Sequence, residues 1–176
     1  LQASLAQAFM LPSFRTTPKR RERVRSVAFE RDRDLDLRHT LAASRGNNLA
    51  RWLTALPPNK LDAPSYRRAI GTLARQHGLA MRWLDEAALP RLGANAFLAV
   101  SSGNAQRTAG IAHLRYRPAS RKSARAPAVA LIGKGILFDT GGTNLKPHRA
   151  MLDMHTDMAG SAVALATLLA LAELRA

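Results

Sequence analysis

Two apolar segments joined by a glycine-rich loop constrain this chain more than any other feature. The first is AVALIG (Ala128 to Gly133), an unbroken apolar run of the kind a strand shows when both its faces are covered. The second is MAGSAVALATLLALAEL (Met158 to Leu174), an Ala-rich run that reads as a helix buried in a protein core. Between them lies GKGILFDTGGTNLKP (Gly133 to Pro147). A strand, a glycine loop and a helix in that order argue for an α/β layer fold. In such sheets ligands gather beyond the carboxyl ends of the strands, where Lys134 stands. A membrane span is a poor reading of the second run. Ser161, Thr167 and Glu173 interrupt it, and it falls short of the roughly 20 apolar residues a span needs. Placed at the end of the sequence, such a core helix lacks partners, so the chain reads as a fragment.

Upstream, LQASLAQAFMLPS (Leu1 to Ser13) looks like the end of a helix, and the polar, basic stretch to Arg38 reads as a linker. Leu49, Trp52, Leu53 and Leu56 then recur at helical spacing until Pro57-Pro58 ends that helix. Asp62-Ala63-Pro64 opens a second helix, with Asp62 as N-cap and Pro64 in the first turn. Tyr66, Ile70, Leu73 and Ala74 form its apolar stripe, and Gly78 supplies a left-handed stop. AMRWL (Ala80 to Leu84) is a strand candidate, and DEAALPRLG (Asp85 to Gly93) a short helix. Three further strand candidates follow: AFLAVS (Ala96 to Ser101), GIAHLRY (Gly110 to Tyr116) and AVALIG.

The 176 residues suit one domain, or one domain and a piece of another. With no cysteine, disulfides and thiolate metal sites are excluded, which fits a reducing compartment. The first residues lack the basic-then-apolar order of a signal peptide. A net charge of +15 admits a nucleic-acid partner. Against that, the one dense basic run, KRRERVR (Lys19 to Arg25), has no Tyr or Phe interleaved to stack bases. The excess of arginine over lysine also reads as codon bias.

The loop concentrates the chemistry. Lys134, Asp139 and Lys146 fall within it, although the chain holds few lysines. Its glycines give neither the G-x-x-x-x-G-K-[ST] nor the G-x-G-x-x-G spacing, so phosphate binding is a weak reading. A metal is the alternative. Asp139 sits just before Gly141-Gly142, and Asp157 just before the apolar helix. Two carboxylates at loop ends of one sheet can hold Mn²⁺, Mg²⁺ or Zn²⁺. A lysine beside such ions serves as a ligand when neutral, or steadies an oxyanion when charged. The bland reading stays open, because Asp-Thr-Gly-Gly is also ordinary turn chemistry.

The run VALIGKGILFDTGGTNLKPHRAMLDMHTDMAGSAVAL resembles the catalytic segment of the leucyl aminopeptidase family, the M17 metallopeptidases, whose pattern is close to GKG-x-x-FD-[ST]-GG-x-x-x-KP. NLARWLTALPPNKLDAPSY, FLAVSSGN and IAHLRYRP are similar to the family's upstream segments. The fold this resemblance implies is α/β, three-layer αβα with a mixed, mostly parallel central sheet. Residues 1–38 would be the end of an N-terminal domain and a basic linker, and residues 39–176 the N-terminal part of the catalytic domain. By the same resemblance Lys134 and Asp157 would bind one metal and Asp139 would bridge two. Lys146 would polarise the scissile carbonyl, and Met154 would line the pocket for the first side chain. The implied cofactors are two divalent ions, Mn²⁺ or Zn²⁺, and the implied activity is hydrolysis of N-terminal residues from peptides. A cytoplasmic homo-hexamer is also implied.

The sequence departs from the family pattern in one large respect. Nothing like the second catalytic motif, N-T-D-A-E-G-R, occurs in it. The expectation is therefore a chain inactive by itself. The alternatives are an inactive oligomer subunit and a basic nucleic-acid-binding protein that keeps the peptidase fold. His148 and His155 read as solvent-facing rather than as extra ligands.

Overall fold

The computed structural model describes residues 1–17, 24, 26–28, 36–118 and 128–175. The basic run Lys19 to Arg25 lies outside the described residues apart from Val24. In chain order the elements are α1 (Gln2–Ala8), α2 (Arg38–Thr54), α3 (Ala63–Gln76), β1 (Ala80–Asp85), α4 (Asn95–Ser101), β2 (Gly110–Arg115), α5 (His148–Met151) and α6 (Ala159–Leu174). Single 3₁₀ turns occupy Pro90–Leu92 and Met154–Thr156.

The core forms where α2 and α6 lie against each other, with α3 closing one side. Ala50 and Leu53 of α2 meet Ala162, Leu165, Ala166 and Leu169 of α6, all buried. Gly46 lets the two helices approach closely, since a Cβ there would stand 3.1 Å from the Ala166 carbonyl oxygen. Trp52, which recurs at helical spacing with Leu49, Leu53 and Leu56, is 38% exposed. It lies beside the line through Leu49, Leu53 and Leu56 rather than on it. α1 docks on α2, where the Arg51 guanidinium donates to the Ala6 carbonyl at 2.9 Å.

α3 starts and stops as its sequence dictates. The Ser65 amide donates to the Asp62 carboxylate at 2.8 Å, and the Asp62 amide donates back to the Ser65 hydroxyl at 2.9 Å, a reciprocal capping box. Tyr66, Ile70 and Ala74 are buried. Gly78 then takes φ +67° and turns the chain into β1.

β1 and β2 pair antiparallel, with Arg82 opposite His113 and Trp83 opposite Ala112. Met81, Ala112 and Leu114 pack inward on the core, while Arg82, His113 and Arg115 are exposed on the other face. Their alternation follows the period of two that separates strand faces. The long connection between the strands is pinned by buried Glu86, which pairs with Arg107 at 2.6 Å and accepts from the Ala109 amide.

Three expectations are corrected. AFLAVS is not a strand: residues 95–101 form α4, because a short run rich in Ala and Leu satisfies either period and helix propensity decides it. Residues 85–93 do not form one helix: Asp85 ends β1, and a turn leads into the 3₁₀ turn at Pro90–Leu92. AVALIG joins no ladder, since among the described residues the only strands are β1 and β2, paired with each other. The sheet among the described residues is two antiparallel strands. An apolar run becomes a strand only when a neighbour satisfies its amides and carbonyls.

Candidate active site

The glycine loop lies along the first turn of α6, and this contact builds the site. A Cβ at Gly133 would stand 2.4 Å from the Gly160 carbonyl oxygen, and the backbone nitrogen of Lys134 lies 3.1 Å from where a Cβ on Gly160 would be. No side chain caps α6. The Lys134 carbonyl does so instead, accepting at 2.8 Å from the Ser161 amide, which also donates to the Met158 carbonyl at 3.1 Å. Lys134 is thereby fixed by its own peptide group to the start of α6. Just before that start, the 3₁₀ turn Met154–Thr156 delivers Asp157, whose carboxylate meets the Lys134 ammonium at 2.8 Å.

A second pair forms on the same loop. Asp139 accepts from the Gly141 amide at 2.8 Å through one oxygen and from the Lys146 ammonium at 2.9 Å through the other. Gly141 takes φ +94°, where a Cβ would stand 2.4 Å from the Asn144 carbonyl oxygen, and the Lys146 amide closes the turn by donating to the Thr140 carbonyl at 2.8 Å. The hydrogen bond from Lys146 first, then the Gly141 amide, holds the Asp139 carboxyl below its ordinary range, and the charges of Lys146 and Lys134 add to this. The Lys146 ammonium also donates to the Met154 thioether at 3.1 Å.

All five residues singled out from the sequence thus meet in two neighbouring clusters, Lys134–Asp157 and Lys146–Asp139–Met154. His148 is exposed and His155 half-buried; among the described residues neither forms an ion pair with a carboxylate. Among the described residues no three His, Cys, Asp or Glu side chains gather. The donors these two clusters offer are lysine nitrogen beside carboxylate oxygen. Amine and carboxylate donors suit borderline and hard divalent ions. Lys134, Asp139 and Asp157 fit as part of a shell, being fewer than a closed set of four or more ligands. Two residues escaped the sequence reading: Ser161, which seats the Lys134 peptide, and Tyr66, whose hydroxyl lies 3.1 Å from the Ser161 hydroxyl.

Residues 48–176 match the cytosol aminopeptidase family, catalytic domain. The chain belongs to this family. It is 41% identical over 133 residues to a probable cytosol aminopeptidase of Parasynechococcus marenigrum, an alignment that covers 75% of this chain and 26% of that protein. Among solved structures it is similar to the bottromycin maturation enzyme BotP in complex with Mn, with 33% identity and a TM-score of 0.63 over 77% of this chain and 28% of that one. Leucyl aminopeptidase of Leishmania major in complex with actinonin gives 29% identity and a TM-score of 0.67 over 76% of this chain and 25% of that one. The fold is accordingly an α/β peptidase-type domain. The chain spans about a quarter of the length of the curated relatives it matches.

Proposed function

We propose that residues 39–176 are the N-terminal part of the catalytic domain of a two-metal aminopeptidase, and that residues 1–38 close a preceding domain and link it. The observation that supports this most is the convergence of Lys134 with Asp157, and of Lys146 with Asp139 and Met154, on one loop and one helix start. In this reading Lys134, Asp139 and Asp157 hold divalent ions, Mn²⁺ or Zn²⁺. Bound ions would supply Lewis acidity toward the scissile carbonyl and a water acidic enough to attack it.

The chain's own residues carry the remaining roles. Lys146, paired with Asp139, stabilises the oxyanion that forms as the peptide carbonyl becomes tetrahedral. Met154, in contact with that ammonium, lines the pocket for the N-terminal side chain of a peptide. The three-layer αβα arrangement with a mixed sheet belongs to the complete domain, as do a cytoplasmic location and assembly into a hexamer. With three of the ligands a two-ion cage needs, the 176 residues alone are inactive.

Hydrolysis of a leucine anilide by the purified chain with added Mn²⁺, beside a Lys146→Ala control, tests this. The expected result is no turnover by the chain alone, and turnover dependent on both Mn²⁺ and Lys146 in the longer protein containing it. Activity in that longer protein that survives Lys146→Ala would remove Lys146 from the chemistry.

A further inference from the structure

Ser161 lies against the loop at Lys134 and at the glycines on either side of it. Its amide donates to the Lys134 carbonyl at 2.8 Å, and its hydroxyl oxygen lies 3.2 Å from where a Cβ on Gly135 would stand. The hydroxyl's one hydrogen is committed, because it bonds the Met158 carbonyl at 2.7 Å. The 3.1 Å contact with Tyr66 therefore has one workable direction: the Tyr66 phenol donates and the Ser161 oxygen accepts. Tyr66 comes from α3 and is 6% exposed, with its ring in the cluster that contains Met158 and Ala162. Burial pushes the phenol up, which keeps it in its donating form.

We propose that Tyr66 and Ser161 are positioning residues for the lysine–aspartate cluster. The Tyr66 hydroxyl holds Ser161, and Ser161 holds the Lys134 peptide on the first turn of α6, so that the Lys134 amine reaches Asp157. The inference rests on the reading of Lys134 and Asp157 as metal ligands. It adds a connection from α3, a helix far from the loop in sequence, to the geometry of that pair. Packing alone does not require the hydroxyl, since phenylalanine fills the same space in a core.

The test uses Tyr66→Phe, Ser161→Ala and the double variant, with two readouts on the 176-residue chain. Mn²⁺ affinity is read from the EPR signal of the free ion, and amide hydrogen exchange is followed at Ser161 with Leu114 as a reference. Each single variant is expected to weaken Mn²⁺ binding by about tenfold, the usual scale for losing a partner behind a ligand. The double variant is expected to lose no more than the worse single, because one hydrogen bond links the two residues. Exchange at the Ser161 amide should quicken by about fivefold in Tyr66→Phe, the worth of one neutral hydrogen bond, while Leu114 is unchanged. Normal Mn²⁺ affinity in both singles, or equal quickening at Ser161 and Leu114, overturns the proposal. If the unaltered chain binds no Mn²⁺, the three ligands do not hold an ion without the rest of the cage, and the exchange ratio decides whether Tyr66 holds Ser161.

Discussion

At Gly133 a single hydrogen atom decides whether Lys134 can reach its place. Any Cβ there would stand 2.4 Å from the Gly160 carbonyl oxygen and 2.5 Å from the Ser161 Cα, both rigid backbone. Gly133→Ala must therefore lift the loop off α6 and break the bond from Ser161 to the Lys134 carbonyl. The expected cost is about 1–3 kcal/mol, the range for forcing a methyl into a packed site. It is read as a lowered midpoint of thermal unfolding. An unchanged midpoint would mean that the loop does not rest on the helix. By contrast, Gly142→Ala meets no neighbouring atom and carries only the strain of its φ of +73°, so its effect should be the smaller. The lysines and aspartates were legible because their chemistry is local: Asp139, Gly141 and Lys146 interact within one turn of chain. Tyr66 and Ser161 were not, since their contact joins residues far apart in sequence, and no local pattern distinguishes a core tyrosine whose hydroxyl has work from one whose hydroxyl has none.

Among the elements, α3 was the most legible because everything that defines it is local. Asp62, Pro64 and Ser65 set its start, and Gly78 its stop. The Ser65 hydroxyl first, then the Ser65 amide, lowers the Asp62 carboxyl from its ordinary value. A carboxyl lowered on folding contributes stability that is complete above the unfolded value and is lost as pH falls through the folded one. Asp62→Ala should therefore unfold at a lower temperature than the parent chain at neutral pH, with the gap narrowing as pH falls through and below the ordinary carboxylate range. Asp62→Asn keeps a capping oxygen and should retain most of the stability at neutral pH. A gap as wide at pH 2 as at pH 7 would show that the charge on Asp62 contributes nothing. AFLAVS and AVALIG were misread because their fate depends on neighbours. A short apolar run without an alternating polar face carries no period to decide helix from strand, and a strand exists only as half of a pair.

Over the whole molecule, two opposed forces act on surface that the described residues leave uncovered. Val129 is 84% and Ile132 95% exposed, and Val163 and Leu171 face outward from α6, whose opposite side packs on α2. Extended apolar chain with unpaired backbone groups is a template for association. The net charge of +15 opposes it, because two copies must bring like charges together. Salt weakens the repulsion and leaves the apolar attraction: the screening length falls from about 30 Å at 0.01 M to about 10 Å at 0.1 M. Self-association of the 176-residue chain should therefore increase with salt, as measured by light scattering at fixed protein concentration. A nucleic-acid complex would show the reverse dependence, loosening as salt rises. Replacing Val129 and Ile132 together by lysine adds charge where the apolar surface is most exposed. That variant should stay dispersed at salt concentrations that aggregate the parent, with an unfolding midpoint close to the parent's, since exposed positions change stability by about 0.5 kcal/mol or less. Equal aggregation of the variant and the parent would place the sticky surface elsewhere, with the outward face of α6 next to be tested by Val163→Lys.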